Sequence, residues 1–208
     1  GATVFVHAEN GEILDFLRRE CIKKGQTAPK YHYISRPPFT EAEGVRRAAY
    51  LAGKVGTPVY IAHVTCREAL KELIEARGNG VNINGETCTH YLTITKDVLD
   101  NPDFNEASKY VCSPALRDQE DIDALWDALN RGILTAVSSD HCGIDVAELK
   151  QAGRDDFTQI PNGSPGAGDR FSMIWTYGVE TGRISRKKFV ELIAAKPAKI
   201  NGIFPQKG

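Results

Sequence analysis

Short apolar runs alternate with amphipathic segments along this chain. The runs at residues 4–8, 59–64, 81–84 and 134–138 predict four short buried strands. Apolar residues at helical spacing predict helices over 12–24 and 41–52, and further helices after Thr65, Asp118 and Ser185. Thr65 and Glu68 fit a capping box at the start of one of them. Strands that alternate with helices in this way indicate β/α units and a parallel sheet.

The number of units leaves two architectures open. A complete (β/α)₈ barrel needs roughly 250 residues and eight units, whereas this chain has 208 residues and four predicted strands. It is therefore either a small open α/β domain or about half of a barrel. Residues 110–113 form a further short extended run, and residues 143–169, rich in Gly, Asp and Pro, predict a long surface loop.

Charge and composition exclude several classes of partner. The chain has 26 basic and 27 acidic residues, a net charge of −1, so it lacks the basic surplus that attracts nucleic acid or anionic lipid. No apolar run approaches the ~20 residues of a membrane span. The five cysteines are odd in number and scattered, which favours a reducing compartment and predicts a cytoplasmic protein. Because the chain begins with Gly1 and its only methionine is Met173, we expect a processed or excised piece.

Ionisable residues follow the predicted strands. His7 ends the first strand, His63 ends the second, Glu86 follows the third and Asp140 follows the fourth. Parallel strands bring such residues to the carboxyl edge of the sheet, where α/β proteins bind ligands. Two imidazoles and a carboxylate at that edge suit a Zn-type metal.

Each of these residues also has a structural alternative. A lone histidine after an apolar strand is more often a hydrogen-bonded structural residue than a ligand, and Glu86 could be a ligand, a partner of a ligand or a helix N-terminal charge. We expect His141 to support the site or the fold, and His32 and His90 to be surface or packing residues. We expect the cysteines to be small buried hydrophobic residues, and only Cys142 to lie near a site. The glycine-rich residues 160–169 lack the Gly-Lys-Ser/Thr ending of a phosphate loop, which leaves a flexible connection or a substrate-covering loop.

Seven ordered segments resemble one enzyme family. They are VHAENG at 6–11, ISRPP at 34–38, YIAHV at 60–64, GETC at 85–88, YVCSP at 110–114, SSDHC at 138–142 and IPNG at 160–163. Together they resemble dihydropyrimidinases and D-hydantoinases, the cyclic-amidohydrolase branch of the metal-dependent amidohydrolases. The resemblance spans nearly the whole chain.

The resemblance implies a fold, a metal centre and an activity. It implies a TIM-like barrel with a small β-domain, usually in homotetramers, and two zinc ions bridged by a carbamylated lysine and a hydroxide. By motif, His7 and His63 match the histidines of one metal, and Asp140 matches the aspartate that ligates the other metal and shuttles the proton. Ser113 and Asn162 match positions whose backbone groups bind a cyclic amide or imide. The implied reaction opens 5,6-dihydropyrimidines, as in pyrimidine catabolism, or 5-substituted hydantoins to N-carbamoyl amino acids.

The sequence also departs from the family pattern. It has no His-x-His motif and no bridging lysine, and the segment ending at His7 matches the fifth barrel strand. We therefore expect residues 1–208 to be strands five to eight, with the N-terminal half of the barrel and the small β-domain absent. The zinc site is then incomplete, and the isolated chain should be inactive. Two alternatives remain, a non-catalytic scaffold relative and an allantoinase or dihydroorotase. Retention of the metal-ligand positions disfavours the scaffold, and the Ser113 and Asn162 segments favour the dihydropyrimidinase branch.

Overall fold

A computed structural model describes residues 3–208, so Gly1 and Ala2 of the expected domain lie outside the described part. Four parallel strands form one sheet in chain order: β1 (Val4–Val6), β2 (Val59–Ile61), β3 (Ile83–Cys88) and β4 (Ala136–Ser138). The register pairs Val6 with Ile61, and Cys88 with Ser138. Neighbouring strands therefore end at the same edge of the sheet, as the alternating pattern predicts.

Helices connect and cover the strands. In chain order they are α1 (Gly11–Lys23), α2 (Tyr31–Ile34), α3 (Pro38–Val55), α4 (Arg67–Gly78), α5 (Phe104–Ser108), α6 (Gln119–Arg131), α7 (Arg170–Ile174), α8 (Arg186–Val190) and α9 (Lys196–Ile200). Asn10 caps α1 through its side chain, and Ser185 caps α8 in the same way. Gly132 ends α6 with a φ of 75°, a left-handed conformation that glycine adopts without steric cost.

The main core lies between the sheet and helices α3, α4 and α6. Strand residues Val59, Ile61 and Ile83 pack there against helix residues such as Val45 and Leu73. A smaller cluster beside it joins α1 to the loops that follow β3 and β4, and comprises Cys21, Leu99, Val111, Phe157 and Ile160. The second cluster fixes loop segments that carry candidate site residues.

Several local expectations are wrong. β3 extends through Cys88, so Glu86 lies inside the strand and does not follow it. Thr65 does not cap α4, whose N-cap is Cys66, because its hydroxyl and amide both bond to the buried carboxylate of Glu41. The run 110–113 forms no strand, and short 3₁₀ turns interrupt the loop at 143–169. Among residues 3–208, no helix combines the length and apolar character that a membrane crossing requires.

Candidate metal and substrate site

Two histidines meet at the carboxyl edge of the sheet. His7 directly follows β1 and His63 lies two residues beyond β2. The parallel register brings them together, and His7 Nδ1 lies 2.9 Å from His63 Nε2. His63 is 8% exposed, and burial, followed by the neighbouring His7, lowers its pKa. The structure therefore brings these two side chains together, and their role as metal ligands stays a prediction.

A buried carboxylate holds the far side of His7. Glu9 Oε2 lies 2.8 Å from His7 Nε2 and accepts a hydrogen bond of 2.7 Å from Arg36 Nη1. Burial raises the pKa of Glu9, but the bond from His7 and the charge of Arg36 outweigh it, so the pKa lies below its usual value. An imidazole held by a carboxylate on one nitrogen presents the other to a metal in a fixed orientation.

A glycine lets helix α3 approach this segment. A Cβ atom at Gly44 would lie 2.6 Å from the carbonyl carbon of Ala8, closer than any real Cβ contact. Only glycine therefore allows the backbone after His7 to lie directly on the helix. Asn10 adds a second tie, since its amide donates a 2.8 Å hydrogen bond to Glu43 on α3. The contact at Ala8 and the bond from Asn10 lie on either side of Glu9 in the chain, and together they fix its position.

His63 and Asp140 share an uncommon backbone conformation. Their φ values are +38° and +42°, in the left-handed region that non-glycine residues rarely adopt. Such strain costs on the order of 1–3 kcal/mol per residue and clusters at functional sites. Both residues lie two positions beyond a strand end, so a left-handed residue directs the chain away from the sheet after β2 and again after β4.

Asp140 lies near the histidines but does not join them in one cluster. Its side chain is exposed, and its charge opposes the lowering of the pKa of His63 and of His90. Within residues 3–208, no group of three or more His, Cys, Asp or Glu side chains is placed to hold one metal ion. The described part of the chain thus supplies a two-histidine set and a separate carboxylate.

Glu86 is engaged inside the sheet. Its carboxylate accepts hydrogen bonds from Ser138 Oγ at 2.8 Å and Tyr60 Oη at 3.2 Å. Burial raises its pKa, and these two bonds offset only part of that effect. Of the three roles open to Glu86 in the sequence, the helix N-terminal charge is excluded by its place in β3.

The two expected substrate-binding segments lie side by side. Ser113 Oγ donates a 3.0 Å hydrogen bond to Asn162 Oδ1 across 49 positions of sequence. The backbone joins them as well, because Gly163 N donates to Val111 O at 3.0 Å. The loop at 143–169 is therefore anchored beside Ser113, as a substrate-covering loop would be.

The remaining histidines and cysteines have structural surroundings. His32 is 4% exposed, and its Nε2 lies 2.7 Å from Cys112 O. His90 is mostly enclosed, and burial lowers its pKa to about 4, so both pack in the interior and neither is a surface residue. His141 Nδ1 accepts bonds from the amides of Gly166 and Ala167. Four cysteines are buried thiols, as expected, whereas Cys142 is partly exposed.

Sequence reasoning missed a buried network behind the site. Arg117 Nη2 pairs with Glu41 at 3.1 Å, and both side chains are almost fully buried. Arg117 also donates to Thr65 Oγ1 and to the carbonyl oxygen of Arg36. The network thus joins Arg36, which binds Glu9, to Thr65, which lies two residues after His63. Local residue spacing does not identify this network, because its members are up to 81 positions apart. The one feature of the sequence that pointed to it was Glu41, a charged residue among the apolar residues of α3.

Four parallel strands whose polar residues collect at the carboxyl edge define a β/α protein, an open domain or part of a barrel, with its site at the strand ends. No protein-family model matches the chain, but individual relatives do. It is 51% identical to a D-hydantoinase of Ralstonia pickettii and 40% identical to a dihydropyrimidinase of Arabidopsis thaliana, each over the whole chain. These matches cover 45% and 39% of the two relatives.

Solved structures give the same result. A dihydropyrimidinase from Brevibacillus agri superposes with a TM-score of 0.98 at 46% identity, and an L-hydantoinase from Arthrobacter aurescens with 0.89 at 31%. They match 100% and 99% of this chain, and 45% and 44% of those chains. The chain is thus similar along its whole length to D-hydantoinases and dihydropyrimidinases, which confirms the resemblance seen in the sequence. It corresponds to the C-terminal part of their barrel and spans less than half of their length.

Proposed function

We propose that this chain is part of a metal-dependent hydrolase that opens cyclic amides, with 5,6-dihydropyrimidines or 5-substituted hydantoins as substrates and N-carbamoyl amino acids as products. One observation carries the proposal. His7 Nδ1 and His63 Nε2 face each other at 2.9 Å on adjacent strand ends, while Glu9 holds the other nitrogen of His7. The relatives named D-hydantoinase and dihydropyrimidinase support the same chemistry.

The two histidines fit a zinc ion. Zinc binds neutral imidazole nitrogens at roughly 2.0–2.1 Å with tetrahedral angles, so two such ligands lie about 3.4 Å apart. The observed 2.9 Å separation reaches that value with a small rotation of either ring. Burial lowers the pKa of His63, which favours the neutral form that binds a metal. We propose His7 and His63 as ligands of one zinc ion and Asp140 as a ligand of a second. The other ligands would come from the remainder of a complete barrel.

The chain's own residues have distinct roles in the proposed reaction. A zinc ion held by the histidines would supply Lewis acidity toward the ring carbonyl and make water a nucleophile near neutral pH. Asp140 accepts a proton from the attacking water and returns it to the ring nitrogen as the C–N bond breaks and a C–O bond forms. Asp140 is exposed at the strand end, so its carboxylate is open to the substrate side as well as to a metal.

Substrate binding is assigned to the backbone of two loops. Backbone amide and carbonyl groups near Ser113 and Asn162 would bind the amide or imide edge of the ring. Their side chains already bond to each other, which leaves the main-chain groups to make these contacts. The loop at 143–169 would then cover the ring and limit access of bulk water.

The wider setting of the protein is proposed from the resemblance. We propose a homo-oligomer, a tetramer for a complete barrel, in the cytoplasm, with neither nucleic acid nor membrane as a partner. The buried thiols fit a reducing compartment, and the balanced charge fits a small-molecule substrate. Residues 1–208 would then form one partial barrel domain.

The proposal is tested in a completed barrel, in which this chain replaces the matching segment of the Ralstonia pickettii D-hydantoinase. We expect ring opening of hydantoin and dihydrouracil, and bound zinc that is lost in His63→Ala. His141→Asn is the matched control, because asparagine can still accept the amide bonds of the 166–167 segment, and it should keep its zinc. A folded completed barrel that binds zinc at neither histidine and opens neither ring would refute the proposal and favour a non-catalytic scaffold.

A further inference from the structure

Lys150 is a buried cation without a carboxylate partner. Its side chain is 1% exposed, and no carboxylate of residues 3–208 lies within ion-pair distance of its Nζ. Burial lowers its pKa to about 8. An ammonium group enclosed in protein is costly unless its three N–H donors are satisfied. A lysine ammonium group is therefore tolerated at this position only if its N–H groups form well-placed hydrogen bonds.

Backbone carbonyls take the place of the missing counter-charge. Lys150 Nζ lies 2.8 Å from Ser108 O, 2.9 Å from Gly163 O and 3.2 Å from Val111 O, with Lys109 O at 3.4 Å. Hydrogen bonds from a charged donor are roughly twice as strong as neutral ones. One ammonium group in the loop at 143–169 thus binds both the segment 108–111 and the later part of its own loop.

Two of the carbonyls, those of Val111 and Gly163, lie in the segments assigned to substrate binding. Val111 lies two residues before Ser113, and Gly163 directly follows Asn162. The same segments share one direct backbone bond, from Gly163 N to Val111 O at 3.0 Å. Lys150 therefore binds both segments at the point where this backbone bond joins them.

The two segments are packed in part and line a cavity in part. Val111 packs against Phe157 and Ile160 in the smaller core cluster. Cys112 belongs to the main core, but together with Tyr110, Lys150, Gly163 and Ser164 it also lines a cavity of about 310 Å³. A cavity wall has fewer of the dense contacts that fix a core, so hydrogen bonds, those of Lys150 among them, hold the backbone there.

We propose that Lys150 is a positioning residue for substrate binding, which sets the spacing between the backbone at 111–113 and at 162–164. The inference rests on the proposed function, since that function makes these segments the ring-binding groups. Lys150 does not itself touch the reacting atoms. Its loss should therefore weaken substrate binding and leave the proton transfer at Asp140 and the metal at His7 and His63 intact.

Kinetics in the completed barrel separate positioning from general support of the fold. We expect Lys150→Met, which keeps the apolar stem and removes the donors, to raise KM for hydantoin at least ~10-fold, with kcat changed less than ~3-fold and bound zinc unchanged. Lys150→Gln, which keeps two donors, should give an intermediate KM. Lys23→Met is the control, because the Lys23 side chain is exposed on α1 and pairs with Glu20; its KM should stay within ~2-fold of the parent.

Amide hydrogen exchange gives a readout that needs no activity. In the 208-residue chain, Lys150→Met should speed exchange at least ~10-fold at Gly163, with exchange in β2 unchanged. An unchanged KM in Lys150→Met would overturn the proposal, and so would unchanged exchange at Gly163. Losses of kcat and of bound zinc as large as the rise in KM would also overturn it, because they would indicate general support of the fold. Faster exchange at Gly163 in a completed barrel that opens no ring would instead count against the proposed function alone.

Discussion

Replacing Glu9 with glutamine removes the buried negative charge directly behind His7. The Glu9 side chain is 2% exposed and bridges His7 Nε2 and Arg36 Nη1. Glutamine has nearly the same shape and keeps an acceptor for the imidazole N–H, so the variant changes charge more than geometry. The carboxylate raises the basicity of the ring and fixes its orientation, and both effects favour metal binding at Nδ1.

The expected loss of zinc affinity follows from the contacts. Removing such an outer partner of a metal-bound histidine costs roughly 10- to 100-fold in affinity, or about 1.4–2.7 kcal/mol. Because glutamine still accepts the hydrogen bond, we expect the lower end, about 10-fold. A separate effect on folding arises at Arg36, which is 8% exposed and loses its counter-charge. Breaking a buried pair costs up to about 3–5 kcal/mol.

Two measurements in the completed barrel distinguish these effects. Competition with a chromophoric chelator gives the zinc affinity, and urea unfolding of the zinc-free protein gives the free energy of unfolding. Glu20→Gln is the control, because Glu20 forms an exposed pair with Lys23 on α1 and such pairs contribute under ~1 kcal/mol. Zinc affinity in Glu9→Gln equal to that of the control would refute the role of Glu9.

Three further predictions address other parts of the account. Asp140→Ala should cut kcat in the completed barrel at least ~100-fold, since it removes proton transfer. Ser113→Ala should change KM only modestly, because the backbone makes the substrate contacts. Similar losses of activity in both variants would contradict this division of roles. Burial lowers the pKa of His32 to about 3, so from pH 7 to 5 only the unfolded state gains its proton. His32 should therefore account for a loss of about 2 kcal/mol of stability over that range, and urea unfolding of His32→Gln should show a shallower acid slope, an equal slope contradicting the assignment. The isolated 208-residue chain with excess zinc should not hydrolyse hydantoin and should self-associate in light scattering through its open sheet edges; turnover near that of a complete enzyme would show that it is a full catalytic domain.

The sequence predicted those features that depend on local pattern. Apolar runs placed all four strands, and parallel pairing then brought His7 and His63 to one edge. The capping of α8 by Ser185 and the end of α6 at Gly132 follow from single residue types, which local backbone geometry requires. The local pattern is enough here because each strand pairs with the next strand in the sequence, so the order of the strands along the chain is also their order in the sheet.

Features that depend on long-range burial could not be predicted in this way. Thr65 has the spacing of a capping residue, yet it bonds to Glu41, which lies 24 positions away. Glu86 resembles a strand-end ligand, but pairing with β4 extends β3 past it. Lys150 looks like an ordinary loop residue, and only the fold shows that four carbonyls surround its ammonium group. Each of these outcomes is decided by which polar groups the tertiary structure encloses together.

The central claim is that His7 and His63 together hold a metal ion. Anomalous X-ray diffraction at the zinc edge, from crystals of the completed barrel, tests it most directly. The account predicts an anomalous peak at about 2.0–2.1 Å from both His7 Nδ1 and His63 Nε2, with Glu9 still bonded to His7 Nε2. A zinc-bound protein whose anomalous peaks lie elsewhere, with the two imidazoles hydrogen-bonded to each other, would contradict it.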